Sequence, residues 1–258
     1  NSYGAGLTRA LIGAGFTVKE VLRPTRRVRR MDGKSDPVDA IAAGRTILAG
    51  VGVSEAKDTT TPAEQIRFLL VARDRLTRAA TAFSNSIHSL LVTAPQLLRE
   101  QYQHLSTPML IKHLAACRPG ADITDVTDAA KYTLKHLAKA YLEAQEQAED
   151  LKAQKHTILT RHYPDLLAVY GVGTIVAAQL IVTIGGNLNR IRNEAAFASL
   201  CGVAPLPASS GKTNRHRLNR GGDRRGNAAL HRIVLVRMQH DERTREYVAR
   251  RTKEGKSK

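Results

Sequence analysis

The sequence predicts a mainly α chain in three parts: a partial α/β piece at the N-terminus, a long helical arm, and an α-helical C-terminal domain with a helix-hairpin-helix. Three observations predict it. A short apolar helix pattern leads into an alternating strand pattern before residue 22. Two long runs of apolar residues at alternating steps of three and four fill the middle of the chain. A G-x-G turn between two apolar helical runs then precedes a strongly basic tail. The parts fall at residues 1–53, 54–160 and 161–258.

In the first part, Leu7, Leu11 and Ile12 predict a short helix ended by Gly13 and Gly15. Phe16, Val18 and Val21 alternate with polar residues and predict a strand. A helix feeding a strand is half of an α/β unit. A basic connector follows, with Arg26, Arg27, Arg29, Arg30 and Lys34 placed to clamp a nucleic-acid backbone; a solvated loop is the plainer alternative. Ser35-Asp36-Pro37-Val38-Asp39-Ala40 then opens a helix that runs to Gly50. Asp36 and Asp39 lie three apart, so both carboxylates point to one face, within reach of one hard cation. The same residues also suit a helix start, with Asp36 as N-cap, Pro37 at N1 and Asp39 at N3. The two roles compete for Asp39.

After a polar linker at residues 52–63, Ile66, Leu69, Arg73, Leu76, Ala80, Phe83, Ile87, Leu90, Ala94 and Leu97 form one seam, broken near Pro95. Leu134, Leu137, Tyr141, Ala144, Ala148, Leu151, Lys155 and Ile158 form a second. Such helices pair antiparallel within a chain or coil between chains. Between them, residues 105–127 predict a short helix and a loop around Pro119-Gly120. The arm reads as a spacer or an oligomerisation element.

Leu166 to Ile184 has the form helix, Gly171-Val172-Gly173 turn, helix. Glycines let a backbone approach a phosphate, and the next helix presents free N–H groups to it. A packed helical hairpin is the alternative. A short helix at 195–201 leads into a stretch broken by Gly202, Pro205 and Pro207, a Ser209-Ser210-Gly211 turn, and a loop bearing Lys212, Arg215, Arg217, Arg220, Arg224 and Arg225. Asn227 starts a last helix, and the charged C-terminus is expected to fray. Hydroxyls on a glycine turn ringed by guanidinium groups suit holding a phosphodiester or attacking one.

Charge points the same way. The chain has 258 residues, a formal charge of +17 and a pI near 10.3. Residues 206–258 carry 15 Lys/Arg against 5 Asp/Glu, whereas residues 101–165 carry 8 of each. The tail therefore meets a polyanion, and the arm builds structure. Aromatic content is 4% with no Trp, which disfavours a stacking platform for single strands and leaves a duplex or structured RNA. The two cysteines and nine histidines fall into no zinc spacing. No run of eighteen apolar residues and no signal peptide is visible, so a soluble cytosolic protein without a membrane partner is expected.

Three pieces in this order carry a resemblance. Gly33-Lys34-Ser35-Asp36-Pro37-Val38-Asp39-Ala40, with the stretch Ser2 to Val21 before it, resembles the end of the RuvC-like (RNase H-like) nuclease domain of the DEDD transposases of bacterial insertion sequences. The family meant is the one numbered one-ten, whose members are guided by a bridge RNA. Tyr170 to Ile181, Ser199 to Gly211 and Arg224 to Arg232 resemble its serine-bearing C-terminal transposase domain. The middle arm matches by helical character alone.

The resemblance implies a recombinase of mobile DNA. Asp36 and Asp39 match the last two acids of a Mg²⁺-binding set, and Ser210, with Ser209 as runner-up, matches the nucleophile. The partners implied are double-stranded DNA, a structured guide RNA and further copies of the chain in a dimer or tetramer, at the bacterial nucleoid. The family's first Asp, and its Glu just before the stretch matching Ser2-Tyr3-Gly4, have no counterpart here. The chain is accordingly expected to be a fragment that lacks both ends of the family pattern and binds nucleic acid without recombining it. A non-catalytic nucleic-acid-binding protein and a metal-only junction nuclease are the competing readings.

Overall fold

A computed structural model describes residues 4–21, 35–120 and 122–256. Arg26, Arg27, Arg29, Arg30 and Lys34, expected to contact nucleic acid, lie outside the described residues. The chain is mainly helical, as its periodicity predicts, with two short two-stranded ribbons among the described residues. It divides into two compact units, each built from two separate segments: residues 1–64 with 183–223, and residues 65–182 with 224–258.

In the first unit, α1 (Ala5–Gly13) leads to β1 (Lys19–Val21), then α2 (Asp36–Ala49) and β2 (Val53–Glu55). β1 pairs antiparallel with β2, Lys19 opposite Glu55 and Val21 opposite Val53. The expected linker after residue 51 therefore begins with a strand, which was hidden because Val53-Ser54-Glu55 is too short to show alternation. Gly50, at φ 65°, ends α2 in the left-handed conformation that glycine adopts without strain. The second segment adds a 3₁₀ turn (Leu188–Arg190), α9 (Glu194–Leu200), β3 (Leu206–Pro207) and β4 (His216–Arg217). Asn187 ties the segments together. Its amide donates to the Ala56 carbonyl, and its oxygen accepts from the Asp58 N–H, both at 2.9 Å.

The second unit is built on α3 (Pro62–Thr93) and α6 (Val126–His162). Between them lie α4 (Gln96–Tyr102) and α5 (Thr107–Ala116). Ile87, Leu91, Leu98, Tyr102, Leu110, Ile111, Leu114 and Leu134 form one buried cluster at this end. Each fully buried Leu or Ile there contributes about 1.5–3 kcal/mol, more than a surface ion pair such as Lys152–Glu149. Ile87 and Leu91 share the cluster with Leu134 and Ala138, while Arg73 and Ala80 share a groove with Tyr141 and Ala148. Position rises on one helix as it falls on the other, so the two run antiparallel.

The predicted seam of α3 is out of phase at three positions. Leu70, Leu91 and Leu98 are buried, where Leu69, Leu90 and Leu97 were expected, and Leu97 is 82% exposed. The seam holds at Ile66, Ala80 and Ile87, so the buried stripe is wider than one three-four row and takes its neighbour at the other positions. The unit also holds α7 (Pro164–Ala168), the start of α8 (Thr174–Ile184), α10 (Arg224–His240) and α11 (Glu242–Lys253). α10 begins three residues before the expected Asn227. The C-terminus, expected to fray, is instead the helix α11, capped by the Asp241 carboxylate on the Thr244 N–H at 3.0 Å. The Thr244 bonds hold the Asp241 carboxyl below its usual range, so this cap persists until strongly acidic pH.

Candidate functional site

The serine stretch was expected as a turn followed by an open loop. It is a β-hairpin. β3 and β4 pair Leu206 with Arg217 and Pro207 with His216, and a further antiparallel bridge joins Ser210 to Thr213. The Ala208 N–H donates to the Arg215 carbonyl at 2.8 Å, and Ser210 and Thr213 exchange backbone bonds at 3.1 and 3.0 Å. Gly211 and Lys212 are thus the two tip residues. Gly211 has φ 55° while Lys212 has no positive φ, as a type II′ turn requires of Gly-X.

The two hydroxyls at this tip differ in what holds them. Ser209 Oγ lies 3.1 Å from Asn214 Oδ1 and 3.3 Å from the Arg215 carbonyl, and accepts from the Arg215 N–H at 3.2 Å. Its bonds close the hairpin. Ser210 is held by its backbone, and among the described residues its exposed hydroxyl has no hydrogen-bond partner. No side-chain base engages it there either.

A contact that the sequence does not show fixes the foot of the hairpin. A Cβ on Gly222 would lie 2.2 Å from the Gly202 nitrogen and 2.4 Å from its Cα. The Asp223 N–H donates to the Leu200 carbonyl at 2.7 Å, and Asn219 bonds Ser199. The loop after the hairpin is therefore clamped, backbone on backbone, to the end of α9. Gly202 takes φ 69° to allow it. The visible sign was the Gly221-Gly222 pair, without a hint of its partner twenty residues earlier. Beneath lies Cys201, fully buried; burial, then the Asp223 charge, pushes its thiol above the usual value and leaves it inert.

Asp36 and Asp39 stand at the start of α2, but neither is the N-cap. Ser35 is: its backbone is extended and its hydroxyl accepts from the Val38 N–H at 3.5 Å. Asp36 is therefore N1, Pro37 N2 and Asp39 N4. The assignment of Asp36 as cap is corrected, and the competition for Asp39 disappears, because both carboxylates are spared from capping. Among the described residues no third His, Cys, Asp or Glu joins them in a metal-binding group.

Of the basic residues, Lys212 occupies the tip, and Arg215 and Arg217 the return strand. Arg220 follows in the loop, and all four are exposed. Arg224 and Arg225, expected in the loop, open α10, where the helix dipole disfavours cations. Arg225 offsets this through an ion pair with Asp74 of α3 at 3.3 Å. In the G-x-G turn, Gly171 takes φ 86°, and a Cβ there would meet Arg237 Cγ at 3.3 Å and the Ile233 carbonyl at 3.4 Å. Its bare face is filled by α10. Gly173 has nothing within 4 Å of an added Cβ. α8 ends at Ile184 as expected, but α7 before the turn is only five residues long.

Residues 164–249, which span the turn, the hairpin and α10, match the family described as Transposase IS116/IS110/IS902 family. Over 142 residues the chain is 31% identical to the insertion element IS110 uncharacterized 43.6 kDa protein of Streptomyces coelicolor, a match covering 54% of this chain and 33% of that protein. Over 97 residues it is 31% identical to the insertion element IS900 uncharacterized 42 kDa protein of Mycobacterium paratuberculosis, covering 37% of this chain and 24% of the relative. The matched stretch thus spans about a third or less of each relative.

Proposed function

From a chain whose residues 164–249 belong to the transposase family of insertion elements, we propose a DNA recombinase in which Ser210 is the nucleophile. The observation that supports this most is the contrast at the hairpin tip: the Ser209 hydroxyl is consumed by structure, and the Ser210 hydroxyl is exposed without a partner among the described residues. In the proposed step the Ser210 oxygen bonds to a DNA phosphorus as one P–O bond to deoxyribose breaks. The serine proton goes to solvent or a base, and the released sugar oxygen takes one up. Lys212, Arg215, Arg217 and Arg220 follow Ser210 within ten residues along the hairpin and loop, and such ammonium and guanidinium groups offset the charge that builds on the phosphoryl oxygens.

Asp36 and Asp39 are hard oxygen donors left uncommitted by the Ser35 cap, and two carboxylates are what Mg²⁺ uses when substrate phosphate and water complete its shell. We assign them to that ion, whose chemistry when bound is to polarise phosphoryl oxygens. Without a phosphate they hold it weakly. The N-terminal piece is read as part of a RuvC-like domain, and α7–turn–α8 as a helix-hairpin-helix whose backbone contact is through Gly173. Guide RNA and further copies of the chain are the partners this reading brings with it.

The test is Ser210→Ala in the whole transposase. Recombination is expected to vanish while duplex affinity stays within about twofold, since one uncharged hydroxyl contributes little to phosphate binding. Recombination at the unaltered rate overturns the assignment. A loss of affinity with it shifts the reading to a binding loop.

A further inference from the structure

We propose that the helical arm carries a phosphate site formed by Arg73 of α3, Lys155 of α6 and Arg225 of α10, with Asp74 as internal counter-ion of Arg225 and Lys155. The arm otherwise reads as a spacer. Lys155 stands in the buried seam at 0% exposure, and among the described residues its Nζ has no hydrogen-bond partner. The buried Nε of Arg73 is also without one. Arg225 Nη1 sits 3.3 Å from Asp74 Oδ2. The charges felt at Lys155 are those of Arg73, Asp74, Glu149 and Lys152, and Glu149 is already taken by Lys152 at 2.7 Å. Asp74 thus answers to both Arg225 and Lys155, and among the described residues two buried donors, Arg73 Nε and Lys155 Nζ, lack acceptors.

An ammonium out of water without an acceptor is a costly arrangement that a fold does not need in a heptad seam. Leucine or methionine packs there better. A tetrahedral oxyanion supplies what is missing, several acceptor oxygens and negative charge, and Arg matches it bidentately. Arg73 also lines a groove of about 380 Å³ between α3 and α6. Thr77, Thr81, Ser84, Asn85 and Tyr141 line it further, giving donors for other phosphate or sugar oxygens. The groove is half polar and open on the arm's surface, and the Glu149 carboxylate that also lines it is offset by Lys152. Nucleic acid is the source of phosphate that the functional reading supplies; the site itself rests on the cluster alone.

The experiment uses the full chain with inorganic phosphate, a short DNA duplex, or chloride at matched ionic strength. Two readouts are followed: the melting temperature, and the titration of Lys155 Nζ by NMR of labelled lysine. Phosphate or duplex is expected to raise Tm by about 2–4 °C over chloride and to move the Lys155 titration to higher pH. The Tm rise with inorganic phosphate is expected to be lost in Arg73→Met and in Lys155→Met, and the shift of the Lys155 titration to be lost in Arg73→Met. A response to duplex alone identifies nucleic acid as the source, and a response to inorganic phosphate alone identifies the free ion. A Lys155 titration unmoved by either, or a Tm rise with inorganic phosphate that persists in both variants, overturns the site. Should Arg73→Met fail to fold, the titration in the unaltered chain decides. Failure of the Ser210 assignment leaves this outcome unchanged.

Discussion

At the hairpin tip two adjacent, identical side chains are put to different uses by backbone geometry: Ser209 Oγ locks the turn through Asn214 and Arg215, and Ser210 Oγ is left to solvent. That geometry depends on the foot of the loop as well as on its tip. Gly222→Ala is expected to destabilise the protein by about 1–3 kcal/mol, because its Cβ would lie inside the Gly202 backbone and the chain must move. Gly221→Ala, whose Cβ meets Asn219 Oδ1 at 3.4 Å, is expected to change stability by less than about 0.5 kcal/mol. Denaturant unfolding of the two variants checks the contrast, and equal losses would remove the clamp from the account. The Ser-Ser-Gly tip was legible in the sequence, because glycine and small hydroxyl residues mark a turn. The hairpin was not, because its strands are two residues each and one contains Pro207. Ser35 and Asp36 both suit an N-cap, and only the backbone conformation separates them.

Among the elements, the antiparallel α3–α6 pair was visible as two seams, and what the seams lacked was phase. Arg73 and Lys155 fell on them as ordinary members, although a charge at a buried position is the informative exception. Burial first, then the Arg73 charge, pulls the Lys155 ammonium from 10.5 down to about 8. The unfolded chain then binds more protons than the folded chain between about pH 8 and 10.5. Lys155 therefore opposes folding fully below pH 8, and this opposition fades as pH rises through that window. Lys155→Met is expected to be more stable by about 1–4 kcal/mol at pH 7 and to converge on the unaltered protein near pH 10.5. Thermal melts of both across this range check it. A variant less stable at pH 7 would mean that the ammonium is satisfied within the fold.

For the whole molecule, a charge of +17 concentrated in the last fifty residues made nucleic acid the leading partner class from composition alone. Composition says nothing of how the chain is divided. Each compact unit draws on two segments far apart in sequence, so the basic tail is split: the hairpin and its loop belong to one unit, α10 and α11 to the other. Motifs read in order along a chain do not reveal this, since the contacts that close each unit link residues more than a hundred positions apart, as Asn187 does with Ala56 and Asp58. The central claim proposed here is covalent attachment of DNA at Ser210, and it is tested most directly by trapping a protein–DNA adduct and mapping the linked residue by mass spectrometry. The account predicts phosphodeoxyribose on Ser210, absent in Ser210→Ala and retained in Ser209→Ala. An adduct on another residue, or strand exchange by Ser210→Ala, would contradict it.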